Sequence, residues 1–332
     1  QDISFYTSTV NSQGMFNMED VAEGYYPRVL MDESVYDYQR RIALDTGSID
    51  NTIRYQSCKI KEQYEKGDTL PDGTKAKEDY ALAELTFTNR LGRTLSDIQV
   101  KGLKVTAEDG GYGKYEQKSD GALYRVQVRL APDGSYTDSY QVESFVYDGG
   151  RPIQVEDKHI AVSFYKELTQ ENWVSAINSL NANYKLGEDI DFNKFESWDQ
   201  AEAAGRFQAN NVNEGFSGTL DGKGHSLLNF RLDGKQTSLF NYLNNGRIRN
   251  LTVENLSIAH AGTATDLGLV GRAQNMSELS DIVLKNGDYS GVYAYGGGLV
   301  GYMDSCSMRD CVVSGLRISS GENGTGLRMG GL

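Results

Sequence analysis

An internal repeat in the last third of the chain constrains its fold more than any other feature. Leu239 sits in Ser-Leu-Phe, Leu269 in Gly-Leu-Val-Gly and Leu299 in Gly-Gly-Leu-Val-Gly, each 30 residues after the one before. A second track keeps the same phase: Leu251, Val253, Leu256 and Ile258 recur sixty residues later as Cys311, Val313, Leu316 and Ile318. Between them, one residue out of step, Ile282 and Leu284 open an intermediate copy. Residues two apart share one face of a strand, so Leu251/Val253 and Leu256/Ile258 predict two short strands with apolar faces inward and a corner between them. A unit of about 30 residues cannot bury such a face alone, so copies must stack. Gly268, Gly271, Gly297, Gly298 and Gly301 fall where the backbone needs a positive φ or a close approach to the next coil. The spacing predicts a parallel β-helix or similar β-solenoid over 169–332; a propeller blade needs about 40 or more residues and four strands.

The start of the stack is marked by a helix signal. Thr169 precedes Trp173, Ile177 and Leu180 at helical spacing, with Glu171 in the first turn, and this helix is expected to cover the first coils. Strand signals follow at 184–186 and 190–192. Ser197 and Gln200 form a capping box for a short second helix through Ala204, ended by Gly205, before Phe216–Leu220 resumes the coil.

Residues 31–168 alternate apolar and polar positions in longer strands, at 83–88, 98–105, 124–130, 140–146 and 160–164. Pro71-Asp72-Gly73, Asp109-Gly110-Gly111, Pro132-Asp133-Gly134 and Asp148-Gly149-Gly150 separate them as turns. This predicts a β-sandwich. Residues 1–30 do not share the pattern and read as the end of a preceding repeat domain. Composition agrees with a mostly-β chain: 21 Tyr and 37 Gly against 4 Pro. The net charge of −13 makes the chain a poor candidate for binding nucleic acid or an anionic membrane surface, and neither is expected as a partner. No apolar run approaches the roughly 18–20 residues of a membrane span. The chain opens at Gln1 without a charged-then-apolar leader, so any signal peptide is expected to have been removed or to lie upstream.

Several short motifs invite chemistry and fail on context. Asp45-Thr46-Gly47-Ser48 matches an aspartic-protease loop, and Leu91-Gly92-Arg93 a later retroviral-protease segment. Two such acidic loops are needed for carboxylates to share one proton, and this chain has one. Gly296–Gly301 satisfies the dinucleotide glycine pattern but lies between repeat coils rather than between a strand and a helix. Asp189, Asp191 and Asn193 alternate like the start of a calcium loop that lacks its glycine and closing glutamate. Cys58, Cys306 and Cys311 are too few and scattered for a disulfide framework or zinc knuckle. Cys311 falls on the inward track and Cys306 reads as a turn thiol. His225 sits in the turn of its repeat; His159 and His260 are isolated. The outward positions Thr252, Glu254, Ser257, Arg309, Ser314 and Arg317 form no cluster of the kind a polysaccharide-lyase site needs. No catalytic, cofactor-binding or metal-ligating residue is therefore assigned.

Phe216-Ser-Gly-Thr-Leu-Asp-Gly-Lys-Gly-His225, followed by Leu227, Phe230 and Leu232 and then the Gly-Leu-Val-Gly copies, resembles the GLUG repeat of Gram-positive surface proteins. The lead-in with Phe164, Trp173, Asn183–Leu186 and Asp189–Phe192 is similar to the segment opening such arrays in the N-terminal region of IgA1-protease-type zinc metallopeptidases. Phe5-Tyr-Thr-Ser-Thr and Gly24-Tyr-Tyr-Pro27 are similar to the closing segment of an array. The resemblance implies a secreted or cell-surface module that positions a protease or holds its host glycoprotein substrate, such as immunoglobulin or mucin. The zinc site of that family needs an HExxH helix, which this sequence lacks, so zinc is expected only in a separate catalytic domain. GLUG repeats also occur in adhesins without a protease, and a carbohydrate-active β-helix is the remaining alternative. Purified and dialysed, the chain is expected to hold no stoichiometric zinc and to cleave no immunoglobulin; elemental analysis finding one zinc per chain would overturn this.

Overall fold

A computed structural model of the chain describes residues 53–89, 95–108, 123–147, 152–156, 158–196, 203–234, 236–264, 266–293, 295–320 and 328–331. The motifs at 1–30, Asp45–Ser48 and Leu91–Arg93, and the turns at 109–111 and 148–150, lie outside the described residues. The chain is mostly β and divides into two compact units. Of the described residues, the first takes those from Ile53 to Asp133 together with those within Tyr140–Ile160; the second takes Gly134–Ser139 and those from Ala161 onward.

The first unit holds β1 (Ile53–Tyr64), β2 (Tyr80–Asn89), β3 (Leu95–Lys101), β4 (Leu103–Ala107), β5 (Leu123–Pro132), β6 (Ser139–Tyr147), β7 (Pro152–Gln154) and β8 (His159–Ala161). Seven lie in the order β1-β2-β5-β4-β3-β6-β7, with β8 also on β6. Alternation dictates the pairing: Ala83, Leu85 and Phe87 on β2 face Val128, Val126 and Tyr124 on β5 in register, and all six are buried. The strand expected over 98–105 is two strands. The buried positions slip from Val100 to Leu103, and Gly102 at φ 86° reverses the chain there, leaving Val100 paired with Leu103. Through this corner the half β1-β2-β5-β4 connects to the half β3-β6-β7. Phe87 of one half meets Phe145 of the other edge-on, with ring centroids 5.1 Å apart. Of 160–164 only Ile160 and Ala161 lie in a strand, as the end of β8, although Ile160, Val162 and Phe164 are all buried. β1 carries no sequence signal because it is an edge strand: Tyr55 is buried, most of its side chains are exposed, and two register shifts interrupt its ladder.

In the second unit, strands pair in parallel with partners 18 to 37 residues away, and from Thr219 onward the separation stays between 26 and 33. One ladder joins β9 (Lys166–Leu168), β10 (Tyr184–Leu186), β12 (Thr219–Asp221), the first half of β16 (Arg247–Glu254), β19 (Glu278–Lys285) and β23 (Ser307–Arg309). The second joins β11 (Ile190–Asp191), β13 (Ser226–Leu228), the later halves of β16 and β19, and β24 (Val312–Ser314). The third joins β14 (Arg231–Gly234), β17 (Ser257–Ala264), β20 (Asp288–Tyr293) and β25 (Arg317–Ser320). The fourth joins β15 (Phe240–Asn244), β18 (Val270–Gln274) and β22 (Val300–Met303), and β21 (Tyr295–Gly296) pairs with β26 (Arg328–Met329). Apolar residues register column by column. Leu220, Ile248 and Leu279 make one fully buried column, and Leu227, Val253 and Leu284 another.

The one-residue slip noted in the sequence has a location. From Asn244 to Arg247 is three residues, whereas their partners Gln274 and Glu278 are four apart. The extra residue sits in a corner where Asn275 (φ 54°) and Met276 (φ 60°) are both left-handed. The other corners use the left-handed residues Asn229, Asn255 and Asn286 on one side and Asn250, Asp281 and Asp310 on the other, residue types whose short polar side chains tolerate that region. The glycines of the Gly-Leu-Val-Gly copies serve close approach instead, for Gly268, Gly271, Gly298 and Gly301 are not left-handed. A Cβ on Gly271 would lie 2.8 Å from the carbonyl of Asn241 and 2.9 Å from that of Asp266.

Aromatic packing surrounds α1 (Trp173–Ala176). Thr169 and Asn172 close its first turn reciprocally: each backbone N–H donates to the side chain of the other, at 2.8 and 3.3 Å. The helix stops before Leu180 because Ile177 is extended (ψ 95°). Trp173 is fully buried, donates its indole N–H to the Ala203 carbonyl, and meets Phe192 and Phe207 edge-on. Of the second predicted helix, 203–204 are helical and 197–202 lie outside the described residues. Among the described residues no helix is long and apolar enough to cross a membrane. Gly271→Ala, which would push a methyl into backbone on both sides, is expected to destabilise the second unit by about 1–3 kcal/mol. Gly331→Ala, with nothing within 4 Å, should be silent; urea midpoints compare the two.

Candidate functional site

Several sequence-flagged positions among the described residues have a structural occupation. Gly296–Gly301 enters β22, a strand of a parallel ladder, where a dinucleotide loop would enter a helix. Asp191 accepts from the Asn193 backbone N–H at 3.0 Å and the Asn229 side chain at 2.9 Å, and these bonds hold it below the usual carboxylate range. Asp189 accepts from the Ser226 backbone and lies 3.4 Å from His225 Nδ1. A shallow dent beside this corner is lined by Phe192, Asn193, Asn229 and Arg231. Among the described residues no three His, Cys, Asp or Glu side chains converge on a point that could hold a metal ion. Cys306 and Cys311 both pack half-buried against the core, so the turn thiol and the inward thiol have similar surroundings. Burial pushes the Cys58 thiol up to about 12 and raises Cys311, which leaves both poor nucleophiles near neutral pH.

The densest polar constellation is one that sequence reasoning missed. On the side of the first ladder opposite the Leu220–Ile248 column, register sets Glu167, Lys185, Asp221 and Arg249 in consecutive positions of alternating charge. Asp221 is buried; its Oδ2 accepts from Arg249 Nε at 3.0 Å and its Oδ1 from Asn250 Nδ2 at 3.0 Å and the Lys223 backbone at 2.9 Å. Arg249 also donates to the Tyr165 hydroxyl at 3.1 Å. One row over, Arg247 donates to Asp138 Oδ2 at 3.0 Å and lies 3.6 Å from Glu278. Asp138 comes from the segment Gly134–Ser139, and its Oδ1 accepts from Asn183 and from Ser163. Spacings such as Asp221 to Arg249, close to one repeat, could have located the first group. Asp138, 109 residues from Arg247, could not have been paired from the sequence.

Every carboxylate oxygen of Asp138 and Asp221 accepts from a named donor, so neither is poised as a general base. Burial pushes Asp221 up, but the bonds from Asn250, Lys223 and Arg249 outweigh it and hold the carboxyl below its ordinary value. Burial raises the Tyr165 phenol, with Arg249 acting in the opposite direction. The arrangement is a hydrogen-bonded polar face in which Asp138 and Asp221 are each paired with an arginine. A depressed folded-state pKa contributes stability that is present above the unfolded value, about 3.9, and lost as pH falls through the folded value. Asp221→Asn should therefore lower stability at pH 7 by about 1–3 kcal/mol and flatten the loss of stability on the acid side; urea unfolding at pH 7 and pH 3 measures both.

No protein-family model matches the chain, and no solved structure matches it. Halomucin of Haloquadratum walsbyi is similar to it, 25% identical over 198 residues, which is 57% of this chain and 2% of Halomucin. The chain thus matches a small part of the length of that protein.

Proposed function

We propose that this chain is a non-catalytic module of a secreted or cell-wall-associated bacterial protein. Its first unit reads as a β-sandwich, and its second as a right-handed parallel β-helix of GLUG-type repeats whose first coils lie under the Trp173 helix. The observation that carries this reading is the column-by-column register of strands about 30 residues apart, for a chain that stacks on itself extends by one layer per repeat and repeats its outer rows. The saturated carboxylates of the polar face support a scaffold over a catalyst. In this reading the module positions an IgA1-protease-like zinc metallopeptidase, or holds its host glycoprotein substrate, with zinc confined to a separate catalytic domain.

The similarity to part of Halomucin, a protein with a mucin-type name, supports a surface protein and favours a second reading. There the module belongs to an adhesin that binds host protein or glycan with no protease attached. A carbohydrate-active β-helix would need acids on the outer face that are free to move a proton, and Asp138 and Asp221 are both held by Arg, Asn or Ser donors. The purified chain passed over immobilised immunoglobulin A1, mucin and a panel of polysaccharides is expected to bind reversibly and release every ligand intact. Cleaved peptide or glycan would overturn the non-catalytic reading, and retention of polysaccharide alone would favour the adhesin.

A further inference from the structure

The left-handed corner residues recur from layer to layer, but one layer adds a second feature to them. Among the described residues, Asn-x-Ser/Thr occurs as Asn250-Leu251-Thr252, Asn255-Leu256-Ser257 and Asn275-Met276-Ser277, all within one coil. Asn250 stands between the two halves of β16, Asn255 between β16 and β17, and Asn275 between β18 and β19. The three therefore mark three corners of the same layer. Backbone conformation accounts for the asparagines, whose φ angles are 53°, 59° and 54°. It does not account for the hydroxyls. At equivalent corners of neighbouring layers Asp281, Asp310, Asn229 and Asn286 keep the left-handed residue, yet two residues further on stand Val283, Val312, Arg231 and Asp288.

The chemistry these corners offer is that of the side-chain amide. All three asparagines are exposed. Each amide nitrogen donates to the preceding layer: Asn250 to Asp221 Oδ1 at 3.0 Å, Asn255 to Asn229 Oδ1 at 2.9 Å, and Asn275 to Asn244 Oδ1 at 2.7 Å. A primary amide carries two hydrogens, and this bond uses one. Exchanging the other for a substituent leaves a secondary amide that still makes the cross-layer bond.

We propose that Asn250, Asn255 and Asn275 are acceptors for N-linked sugar, an inference that rests on the reading of the chain as exported. The donor is a sugar carried on a lipid diphosphate. The amide nitrogen bonds to C1 of the sugar as the C1–O bond to the diphosphate breaks; the diphosphate leaves with the electron pair, and the amide gives up one proton. The hydroxyl two residues on is the group by which a transferase reads the acceptor. Leu251, Leu256 and Ser277 are buried, so each tripeptide is open to an enzyme only before its coil closes. Sugar is therefore added during export, and the folded layer carries it as a belt.

Tandem mass spectrometry of peptides from the whole protein, recovered from the cells that make it and from their medium, tests this. Sugar is expected on at least two of Asn250, Asn255 and Asn275, and on none of Asn229, Asn245 and Asn286. Thr252→Val and Ser257→Ala should each strip their own asparagine of sugar, whereas Thr252→Ser should keep it. Valine suits the outward row of Thr252, where Val283 is the next member, and circular dichroism checks that each variant is folded. Sugar on one or none of the three, sugar that survives loss of the hydroxyl, or sugar on the serine and threonine oxygens instead would each overturn the proposal. A protein found only inside the cell overturns the export reading and the proposal with it; an external protein with bare asparagines overturns the proposal alone.

Discussion

Parallel backbone pairing between residues roughly one repeat apart is the interaction on which the second unit depends. A short strand such as Thr219–Asp221 has little stability alone, and its inward Leu220 is buried in register between Tyr184 and Ile248 of the strands on either side. Register is what makes the columns continuous, and register is held at the corners. Asn229, Asn255 and Asn286 are left-handed at equivalent corners, and Asn255 donates its side-chain amide to Asn229 across layers at 2.9 Å. Where a layer carries an extra residue, at Met276, the corner absorbs it and the columns on either side stay aligned.

Much of this was legible because repeats report on themselves. The 30-residue spacing of Leu239, Leu269 and Leu299 and the pairs Leu251/Val253 and Leu256/Ile258 reappear as register partners and as two strands separated by the corner at Asn255. The glycines were placed correctly, but their reason was ambiguous from sequence: a need for positive φ and a need for space look alike until the opposing backbone is known. The first unit was less legible. Alternation located β2, β5 and β6, whereas β1 has an exposed, charged face and no pattern to find. The break at Gly102 was visible as a phase slip between Val100 and Leu103, a signal weaker than the apolar content on either side.

The polar face shows the limit of pattern reading at sites. Arg247 and Arg249 are two apart on one strand, which the sequence displays, but their partners come from Asp221 in the previous layer and Asp138 in a distant segment. A list of charged residues suggests reactivity. Geometry shows the acids saturated, and a saturated acid orders its neighbours instead of moving protons.

The segment Gly134–Ser139 has a temporal consequence. It belongs to the second unit although it lies between two strands of the first, and Asp138 bonds Asn183, Ser163 and Arg247, as Tyr136 accepts from the backbone of Asn183. A ribosome makes this segment before any of the strands it bonds. Each new layer then finds the previous one in place, and the loop to be closed for each addition is about one repeat long, whatever the total length. The longest of these connections, from Asp138 to Arg247, can close only once Arg247 has been made.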